Sequence, residues 1–296
     1  MKILNASGCL DALTAPEIAR SLDAFVTKTV TPLAREGNEP PRIAEVEHGM
    51  LNSIGLANPG IDCFLSINLP RLAELDVPIW VSVGGFEVAD YAELCDRLDD
   101  LPEVAAIELN VSCPNVDNVP ASVGEIVAAA RGATRKPLFT KLSPATADVA
   151  EVAQAAHRAG TDGLSLVNTI LGLALDERTL QPRLSRAAGG FSGPALKPIA
   201  LAAVHACYAA TRLPIVGMGG ISSGRDALEF IAAGASSVAL GTILFSDPRA
   251  PDRVRSELTK ELTKFGVDDP DNAIGLSHAE PAPHLAKAER AATVSS

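Results

Sequence analysis

Ile107-Glu108-Leu109-Asn110-Val111-Ser112-Cys113-Pro114-Asn115 decides how this chain is read. It begins as a buried strand and ends in a polar loop stopped by proline. Ala105, Ile107 and Leu109 supply the apolar run. Pro114 holds Cys113 out of the helical region and turns the chain. One thiol therefore stands at the mouth of a strand, between the carboxamides of Asn110 and Asn115. In a barrel of parallel strands, that end carries the chemistry. Such a thiol can serve as nucleophile, metal ligand or proton-transfer base. The competing reading is a small buried residue, because free cysteine is among the most buried types. The polar neighbours and the strand-end position favour function.

Outward from this strand, short apolar runs alternate with amphipathic segments. Further strands are read at Lys2–Leu4, Ala24–Thr27, Pro78–Val83, Pro137–Lys141, Leu164–Val167, Pro214–Val216 and Ser237–Leu240. Helices are read at Pro16–Leu22, Cys63–Leu75 (interrupted near Pro70), Val88–Leu98, Val123–Arg131 and Thr146–Arg158. They continue from the Gly189–Pro194 loop through about Ala210, then at Asp226–Ala233 and Pro251–Lys264. Most strand runs are almost wholly apolar, as strands buried on both faces must be. The pattern predicts an α/β fold, a (β/α)8 TIM barrel, over residues 1–266. A tail follows over 267–296 and is expected to fray from about Asn272. The Pro/Gly-rich excursion Pro32–Pro59 is too long for a simple connector and is read as a functional loop.

Composition narrows the class. A length of 296 residues with 47% hydrophobic residues supports one large core. A net charge of -11 without a basic cluster argues against nucleic acid or an anionic membrane surface as partner. Cys9, Cys63, Cys95, Cys113 and Cys207 form no CxxC pair, so neither a disulfide framework nor a structural zinc site is expected. No metal ligand set is assigned. The N-terminus lacks a signal-peptide run and no stretch approaches a membrane span, which points to a soluble cytoplasmic protein.

Glycines follow the late strands. Gly217-Met218-Gly219-Gly220 and Gly241-Thr242 come after strands seven and eight, and Gly189-Gly190 and Ser192-Gly193 after strand six. Bare backbone N–H groups at these positions suit a phosphate. No GxGxxG opens a βαβ unit, so FMN fits better than a dinucleotide in a Rossmann domain. Lys28 and Lys141 end strands two and five and point into one mouth. A lysine there stabilises negative charge on a reduced flavin. Asn52, Asn110, Asn115 and Asn168 offer donors and acceptors suited to a flat ring of alternating C=O and N–H groups.

With these residues in place, the chain resembles the class 1 dihydroorotate dehydrogenases from about Asn5 to Gly266. The likeness is carried by Asn5–Gly8, Lys28-Thr29, Met50–Gly60, Asn110–Asn115, Lys141–Pro144, Asn168-Thr169, Gly189–Pro198 and Gly217–Ile221. Cys rather than Ser at 113 resembles class 1, and Ser192–Pro198 resembles the NAD-linked class 1B branch. The resemblance implies oxidation of (S)-dihydroorotate to orotate in pyrimidine biosynthesis. Cys113 would be the general base and FMN the hydride acceptor. It implies Lys28, Asn52, Gly55, Leu56, Asn110, Asn115, Asn168 and Thr169 as substrate ligands. For FMN it implies Ala6, Ser7, Gly8, Lys28, Thr29, Asn110, Lys141, Val167, Ser192, Gly193, Gly219, Gly220, Gly241 and Thr242. It also implies a homodimer and a separate electron-transfer subunit carrying FAD and a [2Fe–2S] cluster. The alternatives are a related FMN-dependent dihydropyrimidine oxidoreductase with a shifted substrate, or a non-catalytic flavin-binding barrel.

The sequence departs from the family pattern in three places. The family's N-terminal strand pair is not read ahead of the first strand. The segment from Gly8 to Ala24 is short. After Cys113 the chain reads Val116-Asp117-Asn118-Val119-Pro120-Ala121-Ser122 where relatives are glycine-rich. That loop is expected to close over the substrate.

Overall fold

The structure, a computed structural model, describes residues 1–111 and 123–279. Cys113, Asn115 and the altered loop lie outside the described residues. The chain-order strands are β1 (Lys2–Asn5), β2 (Phe25–Val26), β3 (Ile43–Val46), β4 (Gly49–Asn52), β5 (Ile79–Val83), β6 (Val104–Asn110), β7 (Leu138–Leu142), β8 (Gly163–Leu166), β9 (Ile170–Leu173), β10 (Ala188–Ser192), β11 (Ile215–Met218) and β12 (Ser237–Leu240). The helices are α1 (Pro16–Arg20), α2 (Gly60–Cys63), α3 (Leu69–Ala73), α4 (Val88–Asp99), α5 (Val123–Ala133), α6 (Val149–Arg158), α7 (Lys197–Thr211), α8 (Gly224–Ala232) and α9 (Ala250–Lys264).

Eight strands form a parallel sheet in the order β1-β12-β11-β8-β7-β6-β5-β2, the TIM barrel expected from the sequence. Its seam lies between β1 and β2. A single bridge, Leu4 to Ala24, joins them. The buried Asn5 side chain completes the closure: its Nδ2 donates to Val26 O and its Oδ1 accepts from Val26 N, both at 2.8 Å. A carboxamide thus stands in for a missing rung of backbone bonds.

The two faces of each strand do different work. Ile79, Val81, Val83, Ile107, Leu109, Leu138, Leu164, Leu166 and Ile215 face outward and pack against the helices. Leu4, Val26, Val216, Met218 and Ala239 face inward, with Trp80 and Phe139 packed against them. The rings of Trp80 and Phe139 lie 4.4 Å apart and fill much of the barrel. Gly163 is the register partner of Phe139, and a Cβ there would collide with that ring. Above this apolar layer the inward positions become polar: Ser82 pairs in register with Glu108, and Asn110 and Ser165 with Lys141. Burial on both faces explains the continuous apolar runs, and the polar upper layer marks the working end.

The structure differs from the sequence reading in three places. The Pro32–Pro59 excursion is not all loop. Its β3–β4 hairpin joins β10 and β9 in an antiparallel sheet of order β3-β4-β10-β9 at the barrel mouth. These strands are short, glycine-bearing and half exposed, so they lack the apolar run that marked the barrel strands. The helix read from Cys63 begins at Gly60, and a π-helical stretch, Phe64–Asn68, comes just before Pro70. The wider turn accommodates a residue that cannot donate within the helix. Over the described residues 273–279 the chain does not leave the body. Ala273 is fully buried, Gly275 N bonds Ile231 O at 3.0 Å, and His278 stacks on His205 with ring centroids 3.8 Å apart.

Candidate active site

The ends of β2, β6 and β8 are tied together by side chains. Asn110, at the end of β6, donates Nδ2 to Thr29 Oγ1 at 3.0 Å, and its Oδ1 accepts from Asn168 Nδ2 at 3.2 Å. Asn168 Oδ1 accepts from Thr169 N at 2.8 Å. Thr29 Oγ1 also lies 3.1 Å from Ser82 Oγ and 3.4 Å from Ser7 Oγ. From the small sheet, Asn52 Nδ2 donates to Gly190 O at 3.2 Å. Each carboxamide is therefore fixed in rotation before any ligand arrives, which lowers the entropic cost of recognition.

The glycine turns meet on the opposite side. Gly193, Gly219 and Gly220 have φ of +108°, +118° and +86°, a region open to glycine at little cost. A Cβ on Gly220 would stand 2.9 Å from both Gly193 O and Lys197 N. Thr242 Oγ1 donates to Ser192 Oγ at 2.9 Å, so the turn after β12 touches the end of β10. Behind them, Asp226 braces the start of α8. It accepts from Ser222 N and Ser222 Oγ at 2.9 Å and from Lys197 Nζ at 2.6 Å. Burial pushes the Asp226 carboxyl up, but the Lys197 ammonium and the Ser222 and Ser223 donors outweigh it and hold the group below the usual carboxylate range.

Between these walls lies a cavity of about 380 Å³. That is within the usual range for small-molecule sites. It is lined by every described residue that the resemblance assigned to substrate or FMN, Ala6, Ser7, Gly8, Lys28, Thr29, Asn52, Gly55, Leu56, Asn110, Lys141, Val167, Asn168, Thr169, Ser192, Gly193, Gly219, Gly220, Gly241 and Thr242, but not by Gly189, Gly190 or Gly217. Lys28 and Lys141 do enter one mouth. The stem of Lys28 crosses Gly8, where a Cβ would stand 2.9 Å from Lys28 Cδ. Lys141 is almost buried, and its Nζ lies 3.9 Å from Glu108 Oε1.

Several lining residues escaped the sequence reading. Cys9 borders the cavity beside the segment that was noticed. Burial pushes its thiol up, and the ammonium groups of Lys141 and Lys28 offset only part of that. It is therefore held as the neutral thiol, unlike an activated nucleophile. Ile43, Met50, Ile54, Met218, Ile221, Ile243 and Phe245 supply the apolar walls. Met50, Ile54, Met218, Ile221 and Ile243 stand one or two residues from a glycine or asparagine assigned to the site, whereas Ile43 and Phe245 do not.

Among the described residues, no helix is long and apolar enough to cross a membrane, and no group of three or more His, Cys, Asp or Glu could hold a metal ion. The family model described as dihydroorotate dehydrogenase matches residues 2–262. The catalytic subunit of dihydroorotate dehydrogenase B (NAD(+)) from Desulforudis audaxviator is 45% identical over 264 residues, covering 87% of this chain and 86% of that protein. The corresponding subunit from Pelobacter propionicus is 45% identical over 261 residues, covering 86% of each. The ligand-free DHODH of Eimeria tenella superposes with a TM-score of 0.80 at 25% identity, over 94% of this chain and 89% of that one. Likeness of this extent, in sequence across the barrel and in the path of the backbone, places the chain in the dihydroorotate dehydrogenase family, in its class 1B branch.

Proposed function

We propose that this chain binds FMN in the barrel mouth and uses it to oxidise (S)-dihydroorotate to orotate, a step of pyrimidine biosynthesis in the cytoplasm. The observation that carries this reading is the meeting of three glycine turns, two lysines and three carboxamides in one cavity. The turn side suits a phosphate. Ser192, Gly193, Gly219, Gly220, Gly241 and Thr242 line it, and no Cβ fits at Gly220. Ala6, Ser7, Gly8, Lys28, Thr29, Asn110, Lys141 and Val167 would hold the rest of the cofactor. Lys28, Asn52, Gly55, Leu56, Asn110, Asn168 and Thr169, with Asn115, would hold the substrate.

When bound, FMN supplies a two-electron acceptor for the hydride that leaves C6 of the substrate. Cys113, three residues beyond Asn110 in the sequence, takes the C5 proton as its thiolate. The Asn110–Thr29 and Asn110–Asn168 bonds fix which face each carboxamide offers to the ring. Lys141 contributes positive charge where electron density arrives.

The relatives are named as catalytic subunits, which supports a partner that carries electrons away. We assign FAD and a [2Fe–2S] cluster to that partner. A homodimer fits the small sheet, whose edge strand β9 turns Leu171 and Leu173 outward. The test is colour. Purified protein should be yellow, dihydroorotate should bleach it without oxygen, and dihydrouracil should not. Protein that takes up no FMN, or bleaching by dihydrouracil alone, overturns the proposal.

A further inference from the structure

Beneath the cavity, an inward position of β6 holds a carboxylate, paired with Lys141, that the proposed reaction has not used. Glu108 lies one inward position below Asn110 on β6 and is 1% exposed. It does not line the cavity. Its Oε1 has no hydrogen-bond partner, and the Lys141 ammonium is 3.9 Å away, beyond hydrogen-bond reach. Lys141 does line the cavity. The Oγ of Ser165, the register partner of Lys141, is also buried without a partner.

For stability this is a poor arrangement. A buried carboxylate with an unbonded oxygen is costly, and a well-packed apolar pair is often no worse than a buried ion pair. The neighbouring inward positions show that this barrel readily accepts Ala, Val and Phe. What the carboxylate does contribute is a negative charge behind a buried cation, Lys141, that faces the cavity.

We propose that Glu108 is a positioning residue for flavin chemistry. It pins the Lys141 ammonium under the cavity and cancels part of its positive charge, which holds down the reduction potential of the bound cofactor. The inference rests on the FMN reading above. Reduction adds negative charge to the flavin, and an uncompensated ammonium would favour that state. Removing the carboxylate charge therefore raises the potential.

The experiment is spectroelectrochemical titration of the FMN-loaded protein. Wild type comes first: if it takes up no FMN, the functional reading fails, independently of Glu108. In Glu108→Gln, which keeps size and shape, the ratio of reduced to oxidised flavin at a fixed potential should rise by roughly tenfold, a shift of about 30 mV for a two-electron couple. Glu108→Asp, which keeps the charge, should stay near wild type. A purely structural role would alter thermal stability and leave the potential unmoved, and an unchanged potential in Glu108→Gln overturns the proposal. If Glu108→Gln does not fold because Lys141 is left unpaired, the comparison moves to Lys141→Met against Lys141→Met/Glu108→Gln. The double variant must then have the higher potential, and equal potentials overturn the inference.

Discussion

Gly220→Ala tests the phosphate side of the site most sharply. Gly220 sits at φ +86°, where an L-residue costs about 1–2 kcal/mol. Its new Cβ would stand 2.9 Å from Gly193 O and Lys197 N, both backbone atoms without a rotamer to change. Relieving that contact moves the turn by a few tenths of an ångström, and overpacking of this kind costs about 1–3 kcal/mol. The apoprotein should lose roughly 2–5 kcal/mol and melt about 5–15 °C lower. A displaced turn also loses at least one charge-assisted backbone bond to phosphate, about 1.5–3 kcal/mol, or about 10- to 100-fold in Kd. The assay is titration of apoprotein with FMN and with riboflavin, followed by flavin fluorescence. Riboflavin lacks the phosphate, so its affinity should stay within about threefold. Equal losses for the two flavins would refute the placement of the phosphate, and an unchanged FMN affinity would refute the cradle itself.

Cys113→Ala should keep FMN bound yet slow anaerobic bleaching by dihydroorotate at least about 100-fold in stopped flow, whereas loss of the flavin would make the thiol structural. In the wild type the bleaching rate should climb with pH until the thiol ionises, near ~8.5 if unperturbed, and a flat profile would remove the thiolate from the mechanism. Lys141→Met strands the Glu108 carboxylate and should cost about 3–5 kcal/mol in urea unfolding of the apoprotein as well as weaken FMN binding. Adding Glu108→Gln should return most of that stability; a double variant no more stable than the single would show the two charges uncoupled. Asp226→Asn tests the brace behind the turns. The folded carboxyl titrates lower than the unfolded one, so its stabilisation is fully present above the unfolded value near ~3.9 and fades as pH falls through the folded value. The melting-temperature gap between wild type and variant should therefore be widest near neutrality and close in acid, and a gap independent of pH would contradict the assignment.

The barrel was legible because its strands are buried on both faces and broken by glycine, asparagine and lysine at the same end. Ser237–Leu240 could be placed to the residue, since both its neighbours are turn-forming. The small sheet was not legible. Gly189 and Gly190 read as loop because no side chain there records a buried face, yet they are glycine because Asn52 and Thr169 occupy the space a Cβ would need. That the described candidate residues would meet at one cavity was legible because motif and strand end coincided. Glu108 was not, since an acid inside an apolar run carries no local sign of the lysine that faces it from the next strand. Ile43 and Phe245 were missed because their proximity to the cavity is set by tertiary packing, whereas Cys9 directly follows Gly8 and could be found from it.

The Asn5 seam has a consequence for how the molecule breathes. With β2 only Phe25–Val26 long, the cylinder is a rolled sheet fastened at its seam by a few bonds, the Asn5 clasp among them. Transient opening should begin there, so amide deuteration at Ala24 and Val26 should outrun that of Ile107 and Leu138. Ser7 and Thr29 flank the clasp with their hydroxyls 3.4 Å apart, so a ligand that bonds both would strengthen that joint. Filling the mouth would then slow exchange at a joint beside β12 and its Gly241 turn.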